Sequence, residues 1–462
     1  MVHRFVHLSD IHFGQEKKDG SRITHDAVRK ALVADVAKMA AKRGRASRVL
    51  VTGDIAYAGK QTEYHTAAEW LEALTDACQC KNTEVSTIPG NHDCDLTAIN
   101  NHARITYAQL RASPDKQAIA NFNGIVEDGE AGSPFLPKLK TYREFASGFG
   151  SDFESGARPC WTRSFELPGG VTLRFHGLTS VQVSNLEDAL HKLMLGNQQY
   201  TIDEENNVIN IVLCHHPLDW FIDESEAANF LQNRARVLMF GHEHVPNGEK
   251  QTNAYTVREW LVLNAGAVSP PEVDYTYSYN WLELSCVEEN GAHHLVIEIF
   301  PRVWVQARVE FDADRQLLAG ADESVKVRIL CPNVKMSPLP DTTQPKASAS
   351  AGIPADSKSS APSNGDGLIE KQGGLPMDVH SADFDRLRYL FWRYLDWRQR
   401  LKVLVEADAL PQTAEEPIPQ TMERKALEMA ASTPGTLHEL WDAVMPFIPE
   451  GKREQNPFKP KP

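Results

Sequence analysis

Long hydrophobic runs are missing from this chain. Nowhere do about 18 consecutive apolar residues occur, which excludes an ordinary membrane-spanning helix. Cysteine is scarce: seven in 462 residues, at positions 78, 80, 94, 160, 214, 286 and 331. An odd, scattered set argues against a disulfide scaffold and for reduced thiols. Cys78-Gln79-Cys80 has no second pair and reads as the end of a helix. Basic charge is in deficit, with 48 Lys and Arg against 62 Asp and Glu, a formal charge of −14. Such a chain has no general field for duplex nucleic acid, although a local basic groove stays open. The first residues, Met1-Val2-His3-Arg4, are too polar for a signal peptide, so the expectation is a cytoplasmic protein without a membrane partner. No internal repeat is present.

What is there suits a globular chain of about two to three domains. Strand and helix signals alternate over the first hundred residues. Apolar runs at 4–8, 48–51 and 85–88 read as strands, and 24–42 and 62–78 carry helical spacing. This β-α-β-α-β rhythm predicts neighbouring parallel strands with helices on the sheet, and ligands beyond the strands' carboxyl ends. Residues 100–165 read as an insertion or cap. Strand signals return at 171–178, 208–214, 237–240, 260–263, 278–284, 294–300 and 303–311, which predicts a second sheet.

Composition then shifts. Residues 332–380, centred on a Ser-, Ala- and Pro-rich run at 348–363, read as a disordered linker. Helical spacing resumes at Asp383 with Phe384, Leu387, Phe391, Tyr394, Leu395, Leu401 and Leu404. Further helices are predicted at 421–431 and 436–445. The organisation expected is residues 1–331, the linker, a small all-α domain at 381–451 and a basic tail at 452–462.

Five short segments place metal-ligand residue types directly after strand-like runs. They are Asp10-Ile11-His12, Gly53-Asp54, Gly90-Asn91-His92-Asp93, His215-His216-Pro217 and Gly241-His242-Glu243-His244. Carboxylate, imidazole and amide oxygen suit Mn, Fe or Zn, with no thiolate required. The glycines before Asp54, Asn91 and His242 are expected to permit tight turns. Cys94 and Cys214 flank the blocks and read as packing residues.

At these residues the sequence resembles the calcineurin-like metallophosphoesterases, whose D-x-H, G-D, G-N-H-[DE], H and G-H-x-H blocks all occur in order over about residues 1–310. The resemblance implies an α/β fold, a four-layer α/β/β/α sandwich, joined by a flexible linker to the small all-α domain. It implies two divalent metal ions, Mn favoured over Fe or Zn. Asp10, His12 and His244 would hold one ion, Asn91, His215 and His242 the other, with Asp54 bridging. His92 would face the scissile phosphate and assist the leaving group. His216 is expected behind the ligands or facing substrate, Asp93 in a turn or behind the ligands, and Glu243 pointing away. The run Gly53-Asp54-Ile55-Ala56-Tyr57-Ala58-Gly59 lacks the Asp and Arg of the Ser/Thr protein phosphatases and looks more like the bacterial phosphodiesterase-type branch. The implied activity is metal-dependent hydrolysis of a phosphoester, foremost a phosphodiester in a nucleotide or nucleic acid. The alternatives are a phosphomonoesterase and, from another class, a nucleotide-sensing adaptor with little turnover.

The segment 387–400, with Trp392, Trp397 and five arginines between 386 and 400, resembles the death-like, effector-associated adaptor domains of bacterial conflict systems. That resemblance implies a protein partner bound through 381–451. Two other readings stand beside it: the tryptophans as core of a plain helical bundle, and the arginines with the Lys-rich tail as a nucleic-acid dock.

Overall fold

The computed structural model describes residues 2–16, 22–253, 256–270, 276–320, 323–335, 382–411, 416–433 and 436–458. Three parallel strands come first: β1 (His3–Leu8), β2 (Arg48–Val51) and β3 (Val85–Thr87). Helices α1 (Arg22–Arg43) and α2 (Gln61–Ala77) separate them. Then follow α3 (Asn101–Ala112), α4 (Asp115–Glu127) and α5 (Lys140–Gly148). The second sheet opens with β4 (Cys160–Leu167) and β5 (Val171–Leu178). It continues through α6 (Asn197–Tyr200), β6 (Val208–Leu213), α7 (Glu224–Arg234), β7 (Ala235–Phe240), β8 (Asn247–Thr252) and β9 (Glu259–Asn264). The chain returns to the first sheet with β10 (Ser278–Glu289), β11 (Ala292–Val305), β12 (Glu310–Ala313) and β13 (Val325–Leu330).

The first sheet runs β12-β11-β10-β1-β2-β3 with β13 also on β11, and the second runs β4-β5-β6-β7-β9-β8. Side-chain alternation decides what each face meets. Phe5, Leu50, Leu282 and Ile297 of the first sheet interlock with Phe175, Ile211, Met239 and Leu263 of the second. Val6, Val49 and Val51 turn the other way, onto Val28 and Leu32 of α1 and Leu71 of α2. Val212 and Leu238 turn outward onto Phe122 of α4 and Leu231 of α7. The result is the expected α/β/β/α sandwich.

Four C-terminal helices follow: α8 (Ala382–Tyr394), α9 (Trp397–Glu406), α10 (Gln420–Ser432) and α11 (Thr436–Val444). Their apolar faces share one cluster, with Leu387, Phe391, Leu404, Leu427 and Trp441 buried together. That cluster runs on without a break into Tyr142, Ala146 and Phe149 at α5. Helix α8 lies against α5, and the Tyr389 and Phe149 rings sit 5.5 Å apart. Polar contacts frame the junction: Tyr389 donates to Glu72 of α2 at 2.6 Å, Arg400 to Glu144 at 3.3 Å and Gln420 to Ser147 at 2.9 Å.

Several boundaries differ from the sequence reading. Residues 160–167 are the edge strand β4 rather than cap, a polar-alternating strand whose Trp161 and Phe165 pack inward. Strand β8 carries no apolar side chain for periodicity to find, whereas β13 alternates Val325, Val327 and Ile329 with Lys326 and Arg328 and was readable as a strand. The run 303–311 is two strands, because Arg308 and Val309 close a turn onto Val305. The single helical run from Asp383 breaks at Asp396, which caps α9 by accepting from Arg398 N and Gln399 N. Of the proposed linker, residues 332–335 stay fastened to the start of β6: Asn333 donates to Val208 O at 2.8 Å and Lys335 N to Asn207 at 2.7 Å. Residues 336–380 lie outside the described residues. The tail is pinned as far as Phe458, since Lys452 pairs with Glu72, Glu454 with Arg386, and Asn456 donates to His438 O at 2.9 Å.

Candidate metal centre

Five of the parallel strands end at one edge of the sandwich. Asp10 follows β1, Asp54 follows β2 and Asn91-His92 sit in a short turn after β3. His215 and His216 follow β6, and His242 and His244 follow β7. Backbone bonds tie these ends together: Asp10 N to Gly53 O at 3.1 Å and Gly241 N to His215 O at 3.0 Å. Each sheet thus supplies part of one polar cluster.

Local backbone aims the side chains, and not as expected from the glycines alone. Asp10, His12, Asp54, His242 and His244 themselves adopt φ of 54°, 52°, 54°, 67° and 58°. The left-handed region is uncommon for residues with a Cβ, and such strain gathers at functional sites. Gly53, at φ 98°, fits the turn argument. Gly90 and Gly241 instead make room: a Cβ would strike Asp54 Oδ1 at the first and Ser9 Oγ at the second.

All eight residues singled out from the sequence converge. His12 Nε2 stands 3.2 Å from Asp54 Oδ2, and His215 Nε2 stands 3.4 Å from the same oxygen. His244 Nε2 lies 3.2 Å from Asp10 Oδ1. Asn91 Oδ1 is 3.1 Å from both His215 Nε2 and His242 Nδ1. Two ligands at right angles about 2.1 Å from one ion lie about 3 Å apart, so these spacings suit shared cations. Asp10 Oδ1 is buried and faces His244 Nε2 without a well-formed hydrogen bond, so a cation held between the two would satisfy it. Two imidazoles are fixed from behind, His12 Nδ1 on Ser269 O at 3.0 Å and His215 Nδ1 on Thr52 O at 2.8 Å. That leaves each Nε2 directed at the carboxylates.

Electrostatics agree. Burial alone would raise Asp54, but His215, His92 and His12 outweigh it and hold its carboxyl well below the usual range. Asp10 is likewise held low, burial being outweighed by His244 and His215. His215 rises to about 9 because Asp54 overcomes the burial that opposes its charge. His242 falls to about 4 through burial and the neighbouring His215. The anionic centre therefore favours positive charge, and His242 keeps a lone pair to offer.

His92 is held differently. Its N–H donates to Asp54 Oδ1 at 2.8 Å, its Nδ1 meets Tyr57 O at 2.9 Å, and its ring stacks on Tyr57 at 4.9 Å and 25°. Asp93 behaves as a brace, accepting from Ala56 N at 2.9 Å, Gly90 N at 2.9 Å and Tyr64 OH at 2.8 Å. Burial and the Asp54 charge raise Asp93 to about 6. Glu243 turns to Asn264 at 3.0 Å, away from the cluster, and Cys94 and Cys214 are buried packing. His216 is fully buried, with Nδ1 2.9 Å from Ser180 Oγ and its ring 4.3 Å from that of His242. Tyr57, Ser180, Trp220 and Ser269 were missed. All four lie outside the five blocks and act through contacts that no local pattern announces, Trp220 through its ring 4.3 Å from that of His242.

A family model described as calcineurin-like phosphoesterase matches residues 3–246, and one described as GTPase-associated adaptor domain matches residues 383–446. No curated protein matches the chain. Among solved structures, Vps29 of Entamoeba histolytica complexed with Zn²⁺ is 13% identical, covering 71% of this chain and 98% of that one at a TM-score of 0.25. The purple acid phosphatase PPD1 of yellow lupin is 13% identical, covering 65% of this chain and 51% of its own at a TM-score of 0.34.

Proposed function

The chain belongs to the calcineurin-like phosphoesterase family, a family of metal-dependent hydrolases, and we propose that it hydrolyses phosphodiesters in nucleotides or nucleic acid. The carrying observation is the pair of donor sets that meet on Asp54. Asp10, His12 and His244 would hold one cation, and Asn91, His215 and His242 the other, with Asp54 common to both. Borderline imidazole nitrogens and hard carboxylate and amide oxygens suit manganese, iron or zinc, with manganese the first to test. When bound, two such cations supply Lewis acidity to the phosphoryl group and lower the pKa of the attacking water.

The chain's own residues do the rest. Tyr57 fixes His92 Nδ1 through its carbonyl and the ring through its face, so Nε2 is the atom that moves a proton to the leaving oxygen. The Asp93 brace fixes the turn that carries Asn91 and His92, which lowers the cost of ordering them during turnover. The diester reading rests on the absence of the Asp and Arg after Gly53-Asp54. The C-terminal helices, matched by an adaptor-domain model, are read as the site of a protein partner within a bacterial conflict or signalling system. Free buried thiols support a reducing, cytoplasmic setting. Among the described residues no helix is long and apolar enough to cross a membrane.

The test is turnover with added Mn²⁺ on an aryl phosphodiester against the matching monoester, with His92→Ala in parallel. Diester preference that collapses in the variant supports the reading. Monoester preference overturns the diester assignment, and silence on both with metal bound favours a sensing adaptor.

A further inference from the structure

His216 belongs to neither donor set, yet it faces one of them. Along a strand it would point away from His215, but both residues lie beyond the end of β6, where alternation no longer separates neighbours. Their rings stand 4.9 Å apart at 86°, and the His216 ring stands 4.3 Å from that of His242. One nitrogen from each of His215, His216 and His242 falls within 4.8 Å of the other two. Donors about 2.1 Å from one ion stand about 3–4 Å apart, so a small closing movement of this ring would complete the set.

The far side of the ring is held. His216 Nδ1 lies 2.9 Å from Ser180 Oγ, and the His216 N–H lies 3.4 Å from the same hydroxyl. Ser180 follows β5, the parallel neighbour of β6, so the sheet itself brings the clamp to the imidazole. The arrangement repeats that of His12 on Ser269 O and His215 on Thr52 O. Imidazoles that bind metal are fixed in this way through the nitrogen they do not use. His216 Nε2 is buried and has no hydrogen-bond partner among the described residues. A native structure leaves few buried polar atoms in that condition, and each calls for an occupant. Substrate does not reach this one, because His216 is fully buried and the Trp220 ring stands 5.1 Å from its own. A water there would meet two more imidazoles already turned toward a cation.

Resting on the two-cation reading of this centre, we infer that His216 is a further ligand, through Nε2, of the cation held by Asn91, His215 and His242. The two positions then become chemically unlike. Without His216 each offers two nitrogens and two oxygens, counting Asp54 in both. With it the second position has three imidazoles. Imidazole suits zinc or iron and oxygen donors suit manganese, so the second position should prefer zinc more strongly than the first.

The experiment loads the full chain with Co²⁺ and records its proton NMR spectrum. Each coordinated imidazole adds one exchangeable N–H signal shifted far downfield by the paramagnetic ion. Wild type should show signals from His12, His215, His216, His242 and His244, and His216→Gln should show one fewer. In chelator competition the Zn²⁺ affinity of one position should fall about 100-fold in that variant, with Mn²⁺ affinity falling less and the other position unchanged. Ser180→Ala should keep every signal and weaken the same position about tenfold. Circular dichroism checks folding, and His216→Ala replaces the glutamine variant if that one misfolds. Two cobalt ions per chain with the same signals and affinities in wild type and variant would overturn the inference. One cobalt ion per chain that still loses a signal in His216→Gln would sustain the His216 ligand while sinking the two-cation reading.

Discussion

The metal centre and the docked C-terminal helices are both buried, and they are buried by opposite means. At the centre, Asp10, His12 and Asp54 are enclosed polar groups held on left-handed backbone. At the junction, Tyr389, Phe391 and Trp392 continue the apolar cluster of α5 with only a rim of ion pairs. The first region spends stability on chemistry, and the second supplies it. A substitution in one should therefore leave the other's property largely intact, and that contrast is open to attack.

The largest effect is expected at Asp54. Asp54→Asn should lower kcat by about 10⁴-fold, because it weakens both donor sets at once. Elemental analysis should show metal depletion while circular dichroism stays unchanged. Unfolding instead would mean that the site, too, is structural. Next comes the junction: Trp392→Ala should cost about 3–5 kcal/mol of stability, read by denaturant unfolding. Turnover of a small diester measured well below Tm should survive, and its loss would join the two regions into one functional unit. Third, His92→Ala should lower kcat about 10²-fold with metal retained. Tyr57→Ala should reproduce part of that loss and Tyr57→Phe should restore it, since the carbonyl and ring face remain.

The smallest effect concerns acid. Glu72 is held below its usual range because Lys452 and Tyr389 outweigh its burial. A depressed carboxyl stabilises the fold above its unfolded pKa, near 4.5 or slightly lower, and that contribution is lost as pH falls through the folded value. The Tm gap between wild type and Glu72→Gln should therefore be present at pH 7 and close below about pH 4. A gap that persists at low pH would mean the carboxylate's charge plays no part in docking.

The two regions also differ in how much of them could be read in advance. A ligand must be a particular residue at a particular place, so Asp10, Asp54 and His242 announce themselves one by one. The sandwich followed from strand alternation wherever one face was richly apolar, as in β1, β2 and β6. It failed for β4 and β8, where long-range pairing rather than local hydropathy makes the strand, while the alternation of Val325, Val327 and Ile329 in β13 was there to be read. The left-handed φ values were invisible too, because neighbouring strands impose them. At the junction nothing local distinguishes a helix face that covers its own bundle from one that also covers α5. Leu387 and Phe149 carry no mark of each other across more than two hundred residues. The Asp396–Gln399 cap was readable and would have split the long helical run correctly.

The chain leaves the sandwich firmly held at Lys335 and is held again from Ala382 onward. Both attachments are on the same body, so a proteolytic cut anywhere between them would nick the protein without releasing its C-terminal piece. A protein that engages the α8 face must therefore displace a surface already presented from within the same chain. Affinity for such a partner becomes a contest between two occupants, and its apparent strength reports the hold of α5 as much as the fit of the newcomer.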